Sequence, residues 1–350
     1  MLVVYILTFS LIYCLFHLGW TKRYQKKNSF NKYKAKEISV IIPFRNEINN
    51  LSTLKESILQ QALSPLEFIW VNDHSEDNSL SLLENLPNNH LIISLNENES
   101  GKKSAIRKGI ELAKGSYILT WDADITVPSN YFIVLNKQNK SDLTILPVRM
   151  KGKRPFEILF ELDYYFLNSI NISLSSVTNP IVASGANLLF HKSTFNSIDS
   201  FKKHKHIASG DDMFLLQDFK KHQKQIQLLL NKELIVETIP PKTIQTFFQQ
   251  RFRWISKSTK IDDSTTNLIN ALGVSYVLGF IYLLFDSNWL IILGYKIIID
   301  LLIFKPYLTV IGRKKITWFI PLFSLLYPFY FMAITIGLIF FRHQKWKGRK

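Results

Sequence analysis

Hydrophobic and polar positions divide this chain into three territories. Residues 2–20 are almost uninterruptedly apolar, and a second apolar territory runs over about 268–341. Between them the hydrophobic residues come in short runs separated by polar stretches of helical period. Ile38-Ser39-Val40-Ile41-Ile42-Pro43 predicts a buried strand, and the pattern over about 49–61 predicts a helix. Three further strands are predicted at 68–71, 91–93 and 117–121. Strands alternating with helices imply an α/β domain with a largely parallel sheet, and such sheets bind ligands at the C-terminal ends of their strands.

The apolar ends read as membrane segments. The first run is about long enough to cross a bilayer. Its basic residues, Lys22, Arg23, Lys26 and Lys27, come after it, whereas a cleaved signal peptide carries them in front. The expectation is a retained anchor at 1–20 whose C-terminal side stays in the cytoplasm. A basic linker at 21–36 then leads to a folded domain at 37–262, which includes an interfacial helix near 243–258. A C-terminal transmembrane region at 263–341 and a basic tail at 342–350 follow. Candidate spans are 268–285 and 289–304. The stretch 316–341, interrupted by Pro321 and Pro328, reads as a re-entrant hairpin that keeps Arg313, Lys314, Lys315 and the tail on one side. Lys296 and Asp300 stand four apart on one helical face, so a mutual salt bridge is expected, with a lipid-head or substrate contact as the alternative.

Charge and cysteine content narrow the classes. The net charge of +16 is concentrated beside the apolar runs, which fits lipid headgroups better than nucleic acid. With Cys14 as the single cysteine, an intrachain disulfide and a thiolate metal cluster are both excluded.

Candidate chemistry lies after the predicted strands. Asp122-Ala123-Asp124 follows the fourth, and two carboxylates at this spacing suit one hard cation, Mg²⁺ or Mn²⁺, against a diphosphate. Alone, such a triplet is far more often an ordinary solvated turn. Val71-Asn72-Asp73-His74-Ser75-Glu76-Asp77 follows the second strand, with Asp73 suited to a nucleobase N–H and Asp77 to capping the next helix. Gly101-Lys102-Lys103-Ser104-Ala105 lacks the spacing of a phosphate loop, but a helix start bearing Lys102 suits an anionic phosphate. Asp211-Asp212 offers a base for an acceptor hydroxyl. In Gln250-Arg251-Phe252-Arg253-Trp254, Arg253 suits diphosphate oxygens and Trp254 suits stacking near an acceptor.

In this order the clusters resemble glycosyltransferase family 2, the inverting transferases of A-type fold. The family's Pro-x-x-Asn-Glu corresponds to Pro43-Phe44-Arg45-Asn46-Glu47, its Val-Asp-Asp-x-Ser-x-Asp to residues 71–77 with Asn72 for the first Asp, and its Gly-Lys-x-x-Ala to residues 101–105. Asp122 and Asp124 supply its Asp-x-Asp, Asp211-Asp212 its acidic base motif, and Gln250, Arg253 and Trp254 its Gln-x-x-Arg-Trp. The resemblance spans about residues 38–254. It implies an A-type nucleotide-diphospho-sugar transferase fold flanked by N- and C-terminal transmembrane helices. Pro43, Glu47, Asp73, Lys102 and Asp122 would bind the nucleotide-sugar, and Asp124 with Asp122 the metal. Asp212 with Asp211 would serve the acceptor proton, and Gln250, Arg253 and Trp254 the acceptor and diphosphate. Arg107 stands where the family usually has Asn. The implied activity moves a hexose-type sugar from a UDP-linked donor to a lipid or cell-envelope acceptor at the cytoplasmic membrane face. A processive polysaccharide synthase is the second expectation, since Gln-x-x-Arg-Trp accompanies processive members. A catalytically silent scaffold would be expected to have lost Asp124 or Asp212. A transporter would rest on Lys296 and Asp300 alone.

Overall fold

In chain order the main elements are α1 (Leu2–Lys22), β1 (Ile38–Phe44), α2 (Ile48–Leu59), β2 (Glu67–Asn72), β3 (His90–Ser94), α3 (Lys102–Leu112) and β4 (Tyr117–Trp121). There follow β5 (Ile125–Thr126), β6 (Leu143–Ile145), β7 (Val148–Met150), α4 (Pro155–Leu174), β8 (Asn187–His191), α5 (Asp211–Lys221), β9 (Ile226–Leu228) and β10 (Val236–Thr238). The chain closes with α6 (Ile244–Ser258), α7 (Ser264–Leu283), α8 (Trp289–Val310) and α9 (Ile320–Phe340). This computed structural model describes residues 2–22, 31–176, 178–198, 211–258, 264–283 and 285–340. They fall into two units, Lys27–Arg149 with Val182–Ile239, and Met1–Lys26 with Met150–Ile181 and Pro240–Lys350.

The first unit is built on β1, whose seven residues are all buried, as a continuous apolar run requires when helices cover both faces of a sheet. It pairs in parallel with β2 and β4, and β3 adds to β2. Helix α3 turns Ala105, Ile106 and Ile110 into a core with Ile41, Ile69, Val71 and Ile118. Each such aliphatic side chain contributes roughly 1.5–3 kcal/mol through burial. The four strands and the helix after β1 lie within three residues of their predicted positions.

The sheet continues beyond β4 in the order β3-β2-β1-β4-β8-β6-β9, largely parallel as expected, with one strand reversed. Strand β8 is antiparallel to both β4 and β6. Its first residue, Asn187, lies beside Trp121 at the C-terminal end of β4, and a strand that begins where its neighbour ends must run the other way. A smaller sheet orders β5-β10-β7 and brings Thr238 opposite Ile125.

The second unit is helical. Gly19 on α1 lies so close to α4 that a Cβ there would fall 1.9 Å from the Ser173 carbonyl oxygen, so only glycine permits this approach. Lys296 Nζ meets Asp300 Oδ2 at 2.5 Å. Both residues are fully buried, Ser324 donates its hydroxyl to the same carboxylate oxygen at 2.6 Å, and the rings of Tyr276 and Phe280 face the ammonium. The salt bridge read from the i, i+4 spacing is thus present.

The re-entrant hairpin expected over 316–341 is not formed. Residues Ile320–Phe340 make one helix with Pro328 inside it. Pro321 falls in the first turn, where its missing N–H has no helical partner to lose. Among the described residues, one helix, Lys314–Gly337, has the length and composition to cross a membrane.

Candidate active site

The loops leaving β1 and β2 are laced together by side chains. Asn46, at φ 51°, donates its N–H to Ser75 Oγ at 3.1 Å and accepts the Glu76 N–H on its side-chain oxygen at 2.8 Å. Glu47 N–H donates to Ser79 Oγ at 2.8 Å, and Ile48 N–H donates to Asp77 Oδ2 at 3.2 Å. Asp77 also accepts the Ser79 N–H at 3.0 Å. It therefore caps the start of α2, a helix earlier in the chain, rather than the one that follows it. Burial pushes the Asp77 carboxyl up, but the hydrogen bonds from Ser79 and Ile48 outweigh this and hold it below the usual range.

Pro43 lies within β1 opposite Val71. The ladder from β1 to β4 has already ended at Ile41, so no N–H is needed there on that side. Asp73 is 2% exposed and accepts the Gly101 N–H at 3.1 Å, which ties the start of α3 to the end of β2. Gly101 holds φ 92°, a value that favours glycine. Asn72, where the family resemblance has Asp, accepts the Ser75 N–H at 2.9 Å and donates its amide to Ser94 Oγ at 3.2 Å. A carboxylate could not make that second bond as donor, so the amide joins β2 to β3.

Lys102, at the start of α3, reaches Asp122 Oδ1 at 2.5 Å. Asp124 Oδ2 accepts the Thr238 hydroxyl at 3.2 Å. Burial among protein atoms, then the carboxylates of Asp122 and Glu47, push the Asp124 carboxyl up to about 6, against smaller lowering effects of Thr238 and Lys102. Asp124 is nevertheless an exposed residue, so solvent screens both the burial effect and that repulsion. Glu47 itself accepts the Asn50 amide at 2.7 Å. The structure thus gathers Glu47, Lys102, Asp122 and Asp124 into one charged group, with Asp73 tied to Gly101 beside Lys102.

These residues fit a divalent ion in chemistry. The donors are carboxylate oxygens, the ligand type preferred by Mg²⁺ and Mn²⁺, and a cation would relieve the repulsion on Asp124. No cluster of three or more His, Cys, Asp or Glu side chains that could hold a metal occurs among the described residues, so Asp122 and Asp124 would have to share the ion with ligands from outside the chain.

Asp212 opens α5. Its two oxygens accept the Gly185 N–H at 3.1 Å and the Met213 N–H at 2.8 Å, and it lines a small pocket with Thr120, Gly185 and Leu188. The side chain of Asp211 lies outside the described residues. Gln250, Arg253 and Trp254 are carried by α6 of the helical unit. Sequence reasoning missed Thr238, Ser75 and Ser79. Only the Ser in the Val-Asp-Asp-x-Ser-x-Asp pattern carried a signal; Thr238 lies in a short strand with no motif of its own.

A family model described as glycosyl transferase family 2 matches residues 39–169. The chain is 34% identical over 113 residues to the cholesterol galactosyltransferase of Borreliella burgdorferi, covering 32% of this chain and 31% of that protein. It is 23% identical over 243 residues to the poly-beta-1,6-N-acetyl-D-glucosamine synthase of Staphylococcus aureus, covering 65% and 56%. The chain spans about a third of the length of the first curated relatives it matches. Among solved structures it is similar to the mannosyltransferase PcManGT from Pyrobaculum calidifontis, in complex with GDP-Man and Mn²⁺. The TM-score is 0.58 at 15% identity, over 93% of this chain and 99% of that one. At that identity the likeness speaks for the fold, an α/β A-type architecture with a mixed sheet.

Proposed function

We propose, from the glycosyl transferase family 2 model that matches residues 39–169, that this chain is an inverting transferase that moves a sugar from a UDP-linked donor to a lipid or cell-envelope acceptor at the cytoplasmic membrane face. The observation that carries this reading is the gathering of Glu47, Lys102, Asp122 and Asp124 at the C-terminal ends of β1 and β4.

Each residue then has a task its geometry suits. The laced loops hold Glu47 and Asp73 for the nucleotide before it arrives, which lowers the ordering cost of binding. Lys102 sits at a helix start, where its charge and the backbone N–H groups favour a diphosphate. Asp124 and Asp122 would hold a divalent ion, which would supply positive charge for the departing diphosphate. Asp212 takes the proton from the acceptor hydroxyl as its oxygen bonds to the anomeric carbon and the bond to the diphosphate breaks. Two backbone N–H groups fix that carboxylate, so no reorientation is needed at the moment of transfer. Gln250, Arg253 and Trp254 serve the acceptor and diphosphate. Retention of both Asp124 and Asp212 speaks against a silent scaffold.

The membrane part rests on exposed apolar surface. Val3, Leu7, Leu11, Leu15 and Leu18 follow one face of α1 and are each more than half exposed, while Phe285 and Trp318 are 89% and 87% exposed. Apolar surface of this extent calls for lipid or a partner, and the basic residues flanking it favour anionic lipid. In this reading α1 and the C-terminal helices lie in the bilayer. A processive polysaccharide synthase is the second reading, favoured by the 243-residue similarity to a polymer synthase.

The test incubates membranes containing the protein with labelled UDP- and GDP-sugars and extracts lipid and polymer fractions separately. Label is expected in the lipid fraction from a UDP-sugar, and Asp212→Asn should abolish it while nucleotide binding persists. Transfer by that variant at the normal rate would remove Asp212 as the base.

A further inference from the structure

Helix α6 carries Gln250, Arg253 and Trp254, yet the side chain that its helical unit encloses is the arginine between them. Arg251 is 3% exposed and forms an ion pair through Nε with the Asp163 carboxylate on α4. Its Nη2 donates to the Phe160 carbonyl at 3.4 Å, and its Nη1 donates to Gln250 Oε1 at 3.1 Å. The guanidinium lies over the rings of Trp254 and Phe247, 4.2 and 4.7 Å from their centroids, and Phe247 stacks on Phe160 at 3.9 Å. One buried group therefore touches two of the three side chains assigned to the acceptor and diphosphate, and Asp163 holds that group from another helix.

We propose that Arg251, anchored by Asp163, is a positioning residue for sugar transfer: it holds Gln250 by a hydrogen bond and Trp254 by a cation–π contact in the orientations that receive the acceptor. The proposal rests on the assignment of Gln250 and Trp254 to the acceptor. A guanidinium suits this task and an ammonium does not, because its planar fork donates in three directions while its face stacks on a ring. Without it, both side chains regain rotamer freedom that acceptor binding must then remove.

Removing Asp163 alone would leave a buried, unpaired charge and threaten the fold. The informative variant is Arg251→Met with Asp163→Leu, which removes both charges and keeps the apolar volume. Arg251→Lys keeps the charge but loses the fork, and it serves if the double variant does not fold. Transfer is measured from labelled UDP-glucose, UDP-galactose and UDP-N-acetylglucosamine into the extracted total lipid of the expressing cells' membranes, with donor and lipid titrated separately. The expected result is a rise of about tenfold in the lipid concentration for half-saturation, a smaller rise for Arg251→Lys, and an unchanged half-saturation for donor. In protein labelled with 5-fluorotryptophan, the ¹⁹F line lost in Trp254→Phe should shift in both Arg251 variants. Unchanged lipid dependence and an unmoved line in the folded variants would overturn the proposal. If Gln250→Ala and Trp254→Phe leave the lipid dependence unchanged while the Arg251 variants move the line, the acceptor assignment fails instead and the contact itself stands.

Discussion

If Asp122 and Asp124 hold the proposed divalent cation, lowering the pH from 7 to 5 should strip it from them. A proton and a metal ion compete for the same Asp124 oxygens, so apparent affinity follows the ionised fraction of that carboxyl. With the group pushed up to about 6, the ionised fraction falls from roughly nine-tenths at pH 7 to roughly one-tenth at pH 5, so about tenfold is the upper bound on the loss of affinity once solvent screening is counted. A carboxyl at the ordinary value of 3.8 would lose less than roughly a tenth of its ionised form over the same interval. The sign is fixed by the direction of the shift: a raised carboxyl binds its proton more tightly, so cation binding is present above about 6 and fades below it. Lys102 lowers this carboxyl, so Lys102→Met should move the midpoint of the loss to higher pH. The assay is titration with Mn²⁺, following the electron paramagnetic resonance signal of the free ion. Nucleotide is left out because a terminal phosphate titrates in the same range. Affinity that stays level between pH 7 and 5 would refute the reasoning, since it would mean that neither burial nor Asp122 and Glu47 hold the Asp124 proton.

Two predictions concern packing. A Cβ at Gly109 would lie 2.6 Å from Ile41 Cγ2 in the sheet core, so Gly109→Ala should destabilise the sheet unit by about 1–3 kcal/mol. It should lower the thermal unfolding midpoint, and because Gly109 and Ile41 share one contact, Gly109→Ala with Ile41→Ala should lose less than the sum of the two single losses. Lys296→Met would leave the Asp300 carboxylate buried without its cation and should destabilise by about 3–5 kcal/mol. Lys296→Met with Asp300→Leu should lie much closer to the unchanged protein in detergent melting curves. A double variant as unstable as the single one would count against mutual pairing as the reason for the loss.

Features that depend on neighbours within a few turns can be read along the chain. The β-branched run at β1, the alternation of strands and helices through β4, the apolar ends and the i, i+4 pairing of Lys296 with Asp300 were all legible, because hydrophobic period and local reach express them directly. The order of the motif clusters was legible through the resemblance to a known family, and their place at strand ends through the predicted strands. The tertiary structure decided which atoms meet. It directed Asp77 back to α2, a link across 29 residues, and set Thr238 on Asp124 across 114 residues. It enclosed Arg251 rather than Arg253 against Asp163, 88 residues away, and reversed β8 against β4. It also made one helix of the segment 320–340, where two prolines had implied a break. No local period encodes such pairings: a carboxylate, hydroxyl or guanidinium takes whatever partner the packed chain delivers within hydrogen-bonding distance, and that partner follows from the fold as a whole.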